Sequence, residues 1–489
     1  MPAIITNKFR INNAEQFLES FTEASPNIYY LGIGKPQAHA TQTRGDSRTE
    51  NLGTDTSPLT PEDSVSNEFY TFDDALAAKK ITSSDIQQVI PRRNWTTGTT
   101  YDYYRHDYGA RVTGTTNTQT ANSGATSLFD ATFYVVSSAY NVYKVLDNNG
   151  DAASTVEPTG TSTSILTTGD GYKWKYMYTL SASQQANFLS TDFMGVATNS
   201  TVSSAAVDGA INIVKIKSAG TGGTNGSHTG IPIRGDGSSG EVTVTISSNA
   251  ISAVTVTNVG SGYTFGYIRL ADINSAGGGS LSGAELDCII EPKGGHGKNA
   301  LEELGAFFVM LNTSFTGTES AASGDFTVAN DFRKIFLLRD PLSGGSAASA
   351  TTLRGTKAIR FASSPSPGTF TVDEEINQAS TGAVGKVVEY DSTNRILYYI
   401  QTRFNDEGID TNGNQTAFSG TNVVTGQSSS ATGTPDADSD STVNNVSFTN
   451  GYSASELDAD TGDVIYLENR TPITRASDQT ENVKLIVEF

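Results

Sequence analysis

The sequence holds a single cysteine, Cys288, in 489 residues. A disulfide needs two, so no intrachain framework is expected. Cys288 sits in an apolar run, 286–290, and reads as a small buried hydrophobe. No apolar run reaches the roughly 18 residues of a membrane-spanning helix. The opening MPAIITNKFRINN lacks the apolar core of a signal peptide. The expectation is a chain made and folded in a reducing cytosol. Histidine is scarce: His39, His106, His228 and His296 lie in loop-like contexts without metal-ligand spacing. No G-x-S-x-G elbow occurs, and no spacing isolates an acid/base pair. Positive charge is in deficit, with 32 Lys+Arg against 52 Asp+Glu and a net charge of −20. That argues against a nucleic-acid surface, which needs basic patches to displace counterions. These absences lead us to expect no catalytic residues, no cofactor, no metal, no nucleic-acid or membrane partner and no small-molecule substrate.

What is abundant is glycine, 48 of 489 residues, against a usual share of about 7%. With plentiful Ser and Thr and few charges, this indicates a mainly β chain with many turns. At roughly 100–200 residues per domain the length suggests two to four domains. Residues 3–9 read as a strand. Asn12 or Asn13 then caps a short helix carrying Ala14, Phe17, Leu18 and Phe21, and residues 28–34 form a second strand. A polar surface loop covers 37–67, and 69–80 reads as helical.

Residues 90–95 run Ile-Pro-Arg-Arg-Asn-Trp, and Tyr101, Tyr103, Tyr104, Arg105 and Tyr108 follow. Basic residues among aromatics fit a stacking platform for single strands, but the acidic balance favours Arg fixed on rings or carboxylates. Strands are expected within 131–146, ending in the turn Asp147-Asn148-Asn149-Gly150. Gly169-Asp170-Gly171 turns into a strand in which Tyr172, Trp174, Tyr176 and Tyr178 share one face and Lys173 and Lys175 the other. Such a stripe is a packing face or a sugar-stacking surface, and packing is the expected reading.

From 207 to 290 the character changes, with a hairpin about Ser248-Asn249. The glycine-rich KGGHGKN, 293–299, is not a P-loop, because Asn299 follows Gly297-Lys298 where Ser or Thr belongs. A helix is expected from Ala300, a strand over 307–311 and another over 331–342. A second foreign stretch, 348–441, reads as a small β-module. Asp436, Asp438 and Asp440 have calcium-loop spacing, but Ser441 and Ser447 replace the required Gly and Glu.

The last 28 residues, 462–489, begin with a β-type run, 464–467. A polar connection containing Pro472 follows, which marks a bend or sheet edge. The chain closes in a strand with Val483, Leu485, Val487 and Phe489 on one face.

Three motifs carry a resemblance: Pro91-Arg92-Arg93-x-Trp95; Gly169-Asp170-Gly171-Tyr172-x-Trp174-x-Tyr176; and Glu468-Asn469-Arg470-x-Pro472 with Asp478-Gln479. Weaker matches stand at Phe332-Arg333 and Pro341-Leu342. Together they resemble the baseplate wedge subunit, the gene product eight family, of T-even-type contractile-tailed bacteriophages. The likeness covers about 1–200, 295–345 and 445–489, with two interruptions. It implies a β-sandwich core, with a few short helices in loops, partitioned as 1–206, 291–347 and 442–489. The interruptions, 207–290 and 348–441, would be inserted β-modules. It further implies a homodimer, contacts with other wedge proteins, a place in the virion tail baseplate after assembly in the host cytoplasm, and fold- or interface-defining roles for the motif residues. The work would be mechanical, linking the inner baseplate to peripheral fibre-bearing parts. The alternative is a receptor- or glycan-binding tail adhesin using aromatic β-surfaces.

Overall fold

A computed structural model describes residues 4–43, 49–110, 119–316, 325, 330–403, 408–437, 440–474 and 480–489. The fold is mainly β, with 42% strand and 10% helix. The chain divides into two units: residues 1–16, 87–310 and 486–489 form one, and 17–86 with 311–485 the other.

In the first unit a four-stranded antiparallel sheet runs in the order Leu166–Thr167, Lys173–Thr179, Asn141–Asp147, Tyr134–Val136. Both faces are buried, and alternate residues enter different cores. Tyr134, Val136, Val142 and Leu146 join one cluster with Phe133 and Met177. Val135, Tyr143 and Val145 join the other with Tyr172, Trp174 and Tyr176. The turn expected at 147–150 is present, with Asn149 at φ 53° and Gly150 at φ 70°. Residues 207–290 carry a core of their own, which includes Ile231, Val242, Val244, Tyr263 and Leu281. The expected hairpin joins Glu241–Ser247 to Ala250–Asn258. Ser248 and Asn249 have positive φ, as a two-residue hairpin turn requires. The helix Ala300–Leu304 starts where expected, with the Asn299 side chain accepting from the N–H groups of Leu301 and Glu302. Phe193–Gly195 pairs antiparallel with the end of the strand Ile86–Pro91, and the chain closes in the strand Glu481–Glu488. In the closing strand Val483 and Leu485 are buried, while Val487 and Phe489 are half-buried.

The second unit holds a five-stranded antiparallel sheet in the order Thr352–Arg354, Ala75–Ile81, Tyr29–Gly34, Asp331–Arg339, Asp463–Thr474. A seven-stranded sheet beside its own core runs Thr432–Gly433, Val424–Gly426, Glu375–Gln378, Ala383–Asp391, Ile396–Ile400, Lys357–Arg360, Tyr452–Ser453. In the five-stranded sheet Lys334 is buried against Asp74 at 3.0 Å, and Arg333 grips Asp55 with two hydrogen bonds of 3.0 Å.

Three expectations fail here. The first helix spans Asn7–Glu19. It begins where the Phe9 N–H meets the Thr6 hydroxyl at 3.3 Å, a cap upstream of Asn12 and Asn13. Residues 4–9 are therefore no strand, and Ala3 lies outside the described residues. The second helix, Val65–Asp73, is capped by Ser64 and stops early. Residues Ala75–Ile81 are instead a strand between two others. Alanines favour helix, but here the segment is paired on both sides, with Ala78 opposite Gly32 and Leu353; Gly32 itself is required, since a Cβ there would stand 2.0 Å from the Phe336 ring. The strand at 464 does not end at Leu467 but continues through the expected connection to Thr474.

Candidate functional site

Two of the three motifs meet in one hydrogen-bonded network. Trp95 donates its indole N–H to Ser154 Oγ at 3.0 Å. Ser154 Oγ donates to Asp170 at 3.1 Å. Asp170 also accepts from the N–H groups of Thr155 at 2.8 Å, Val156 at 3.0 Å and Tyr172 at 3.3 Å, and from Thr168 Oγ1 at 2.5 Å. Thr168 Oγ1 in turn accepts the Trp174 indole N–H at 3.0 Å. Burial pushes the Asp170 carboxyl up, but the Thr168 hydroxyl and the backbone donors outweigh it and hold it at about 2. The network thus ties two tryptophans, 79 residues apart by number (174 less 95), to one carboxylate. Gly171 is needed at this turn: its φ is +84°, and a Cβ would stand 2.6 Å from the Asn149 amide. Gly169 has ordinary space around it.

The arginine pair is consumed in local backbone contacts. Arg92 donates to the Ser190 carbonyl at 2.9 Å and to Asn94 Oδ1 at 2.9 Å. Arg93 lies 4.6 Å over the Tyr134 ring and donates to the carbonyls of Ala131 and Phe129. Pro91 ends its strand and accepts the Tyr134 hydroxyl at 2.8 Å. These are contacts that hold a fold, with ring stacking and planar multidentate donation as arginine favours.

The aromatic stripe faces inward. Tyr172 and Trp174 are 0% exposed, Tyr176 5% and Tyr178 1%, so the stripe offers no sugar-stacking surface. It is also not a single face. Tyr176 pairs with Tyr143 and Tyr178 with the adjacent Val142, so Met177 is an extra residue, a β-bulge. Beyond it Tyr178 enters the other core. Lys175, expected on the face opposite the stripe, is buried. Of the aromatic-basic run after Trp95, Arg105 is buried and paired to Asp107 at 2.8 Å and Asp287 at 2.6 Å. Asp436 stands 4.0 Å from Arg360 and Asp440 accepts the Asn450 N–H, while Asp438 lies outside the described residues. Among the described residues no His, Cys, Asp and Glu group could hold a metal, and no helix is long and apolar enough to cross a membrane. Cys288 is buried, and burial pushes its thiol up to about 12.

The third motif lies on the edge strand Asp463–Thr474 of the five-stranded sheet. Glu468 accepts the Tyr466 hydroxyl at 2.8 Å and faces Arg470 at 3.6 Å. Asn469 donates to the Leu59 carbonyl at 3.0 Å, and the Arg470 carbonyl lies 2.9 Å from His39 Nε2. Pro472, which cannot donate to a ladder, is on this edge as expected. Asp478 and Gln479 lie outside the described residues. Ile465 on the same strand is 42% exposed.

The sequence reading missed one feature, a buried ion pair between Lys144 and Glu303. Glu303 also accepts the Gly297 N–H at 2.8 Å. Against the upward push of burial, Lys144 and the neighbouring His296 hold Glu303 at about 2. No periodicity could signal it, because Lys144 and Glu303 are far apart in sequence and each looks like a surface residue.

Residues 3–155 and 399–489 match the Phage-Gp8 family, described as Bacteriophage T4, Gp8. The first match contains Pro91 to Trp95 and the second contains Glu468 to Gln479, while Gly169 to Tyr176 falls between them. The second match begins inside the stretch 348–441. No curated protein matches the chain. With its two matched segments holding the arginine motif and the edge-strand motif, the chain belongs to the Phage-Gp8 family and is a phage baseplate structural protein.

Proposed function

We propose that this chain is a wedge subunit of a contractile-tail baseplate, acting as a homodimer that joins inner baseplate components to fibre-bearing peripheral ones during tail assembly and host attachment. The observation that carries this reading is how the motif residues are spent. Arg92, Arg93, Trp95, Asp170 and Trp174 hold backbone and one another, so they serve rigidity. A scaffold that transmits force needs such fixed joints. The edge strand Asp463–Thr474, with Ile465 exposed, supplies a surface for subunit contact. We take 207–290 and 348–441 as modules added to this scaffold; each region contributes a hydrophobic cluster largely its own.

Light scattering at micromolar concentration tests the oligomer. The expected mass is twice the 51.6 kDa of one chain. Ile465→Lys, which places a charge on the edge strand, should weaken association with itself or with neighbouring baseplate proteins. A monomer whose incorporation into baseplates is unaffected by Ile465→Lys would overturn the reading.

A further inference from the structure

A cavity of about 360 Å3 opens in the first unit, between the residues that follow the sheet strand Asn141–Asp147 and the start of the 207–290 segment. Its polar wall includes Lys175, Asn212, Glu291 and His296, with Thr163 and Ser164, and Val207 and Val259 are among its apolar residues. Lys175, Glu291 and His296 are 6%, 7% and 4% exposed. Three buried titratable groups around one space are costly to keep unless something uses them.

Their hydrogen bonding is incomplete. The Lys175 ammonium has three donors; among the described residues it has one partner, the Thr163 carbonyl at 2.6 Å. It forms no ion pair with Glu291, although the two share the cavity. His296 Nδ1 is buried without a hydrogen-bond partner. Its nearest carboxylate oxygen, of Glu303, is 3.9 Å away, and Nε2 lies 3.9 Å from Glu291. Glu291 accepts from Asn212 and from the His296 N–H at 3.0 Å, which leaves lone pairs open. Burial pushes both Lys175 and His296 down, opposed at Lys175 by the Glu291 carboxylate. The glycines of 293–299 make this arrangement possible. A Cβ at Gly295 would stand 2.3 Å from the Val207 carbonyl, and one at Gly297 2.4 Å from Val202. The tight turn therefore carries His296 inward.

The ligand class follows from the wall. No Phe, Tyr or Trp lines the cavity, which disfavours a stacked sugar or base. A simple anion would meet Lys175 but also the Glu291 carboxylate. A simple cation meets the reverse. A molecule with both charges satisfies both groups, and the volume lies within the range of roughly 300–1,000 Å3 usual for small-molecule sites. We propose that this cavity binds a small zwitterion of the α-amino acid class, its carboxylate on the Lys175 ammonium, its ammonium on Glu291, and a short aliphatic side chain against Val207 and Val259. The site lies outside the segments matched to the family, apart from Leu146 at its wall. It is independent of the baseplate role.

Isothermal titration of the full chain with glycine, alanine and valine tests it, with acetate and n-propylamine as single-charge controls. Saturable binding of at least one amino acid is expected, with both controls weaker by at least about tenfold. Lys175→Met and Glu291→Gln should each weaken binding by about tenfold or more. Ala205 lines the mouth and is exposed, so Ala205→Trp should keep the melting temperature and abolish binding, whether or not the buried variants fold. No saturable heat with any of the three amino acids would overturn the proposal. So would acetate binding as tightly as valine, or binding unaltered in Ala205→Trp.

Discussion

Asp170→Asn removes one charge and little volume from the node that joins Trp95 to Trp174. The wild-type carboxyl is held at about 2 instead of its ordinary 3.8. At 1.36 kcal/mol per pH unit this is worth roughly 2.4 kcal/mol at neutral pH. Asp170 is partly exposed, so screening reduces it to about 1–2 kcal/mol. Asparagine also replaces one acceptor oxygen by a donor amide facing N–H and O–H groups, which adds about 1 kcal/mol. The expected loss is about 2–3 kcal/mol, or roughly 4–12 °C for a unit of this size. The sign fixes the pH dependence. A carboxyl depressed in the folded state stabilises above its unfolded value and loses that contribution as pH falls through its folded value. The pH-dependent part of the gap should be full at pH 7 and roughly halved by about pH 3. Tryptophan fluorescence during urea unfolding is the assay, because the chain has 2 Trp and both are in the network. A loss below about 0.5 kcal/mol, or a gap that does not change with pH, would refute the reasoning.

Other substitutions probe different contacts. Lys144→Met strands Glu303 in a buried site and should cost about 3–5 kcal/mol in thermal or urea unfolding, whereas Lys144→Met with Glu303→Leu should recover much of it. Gly32→Ala drives a methyl to 2.0 Å from Phe336 and should cost about 1–3 kcal/mol or more; Gly32→Ala with Phe336→Leu should fare better, read by the same melts. Leu485→Asp buries an unpaired charge where the native side chain is 5% exposed and should give an unstable or insoluble chain. By contrast, Lys484→Ala should change stability by less than about 1 kcal/mol.

Much of the sheet framework could be read from local pattern. The turn at Asn149-Gly150, the hairpin at Ser248-Asn249 and the helix from Ala300 all rest on residues acting within a few positions of one another. The failures have a common cause in longer-range contacts. Ala75–Ile81 is a strand because Tyr29–Gly34 and Thr352–Arg354 pair with it on either side. Tyr178 leaves its stripe because Met177 bulges. Lys175 is buried because the turn 293–299 folds over it. The Arg92-Arg93 contacts and the Asp170 network could be located from the motifs but not assigned, because their partners, Ser190, Ala131 and Ser154, are unremarkable residues in sequence.

The most direct test of the central claim is an electron-microscopic reconstruction of the tail of the phage that encodes this chain. Density fitting both described units within the baseplate, in copies bound to neighbouring baseplate proteins, is the predicted result. A complete baseplate with no density for the chain, or density for it only at fibre tips, would contradict the account.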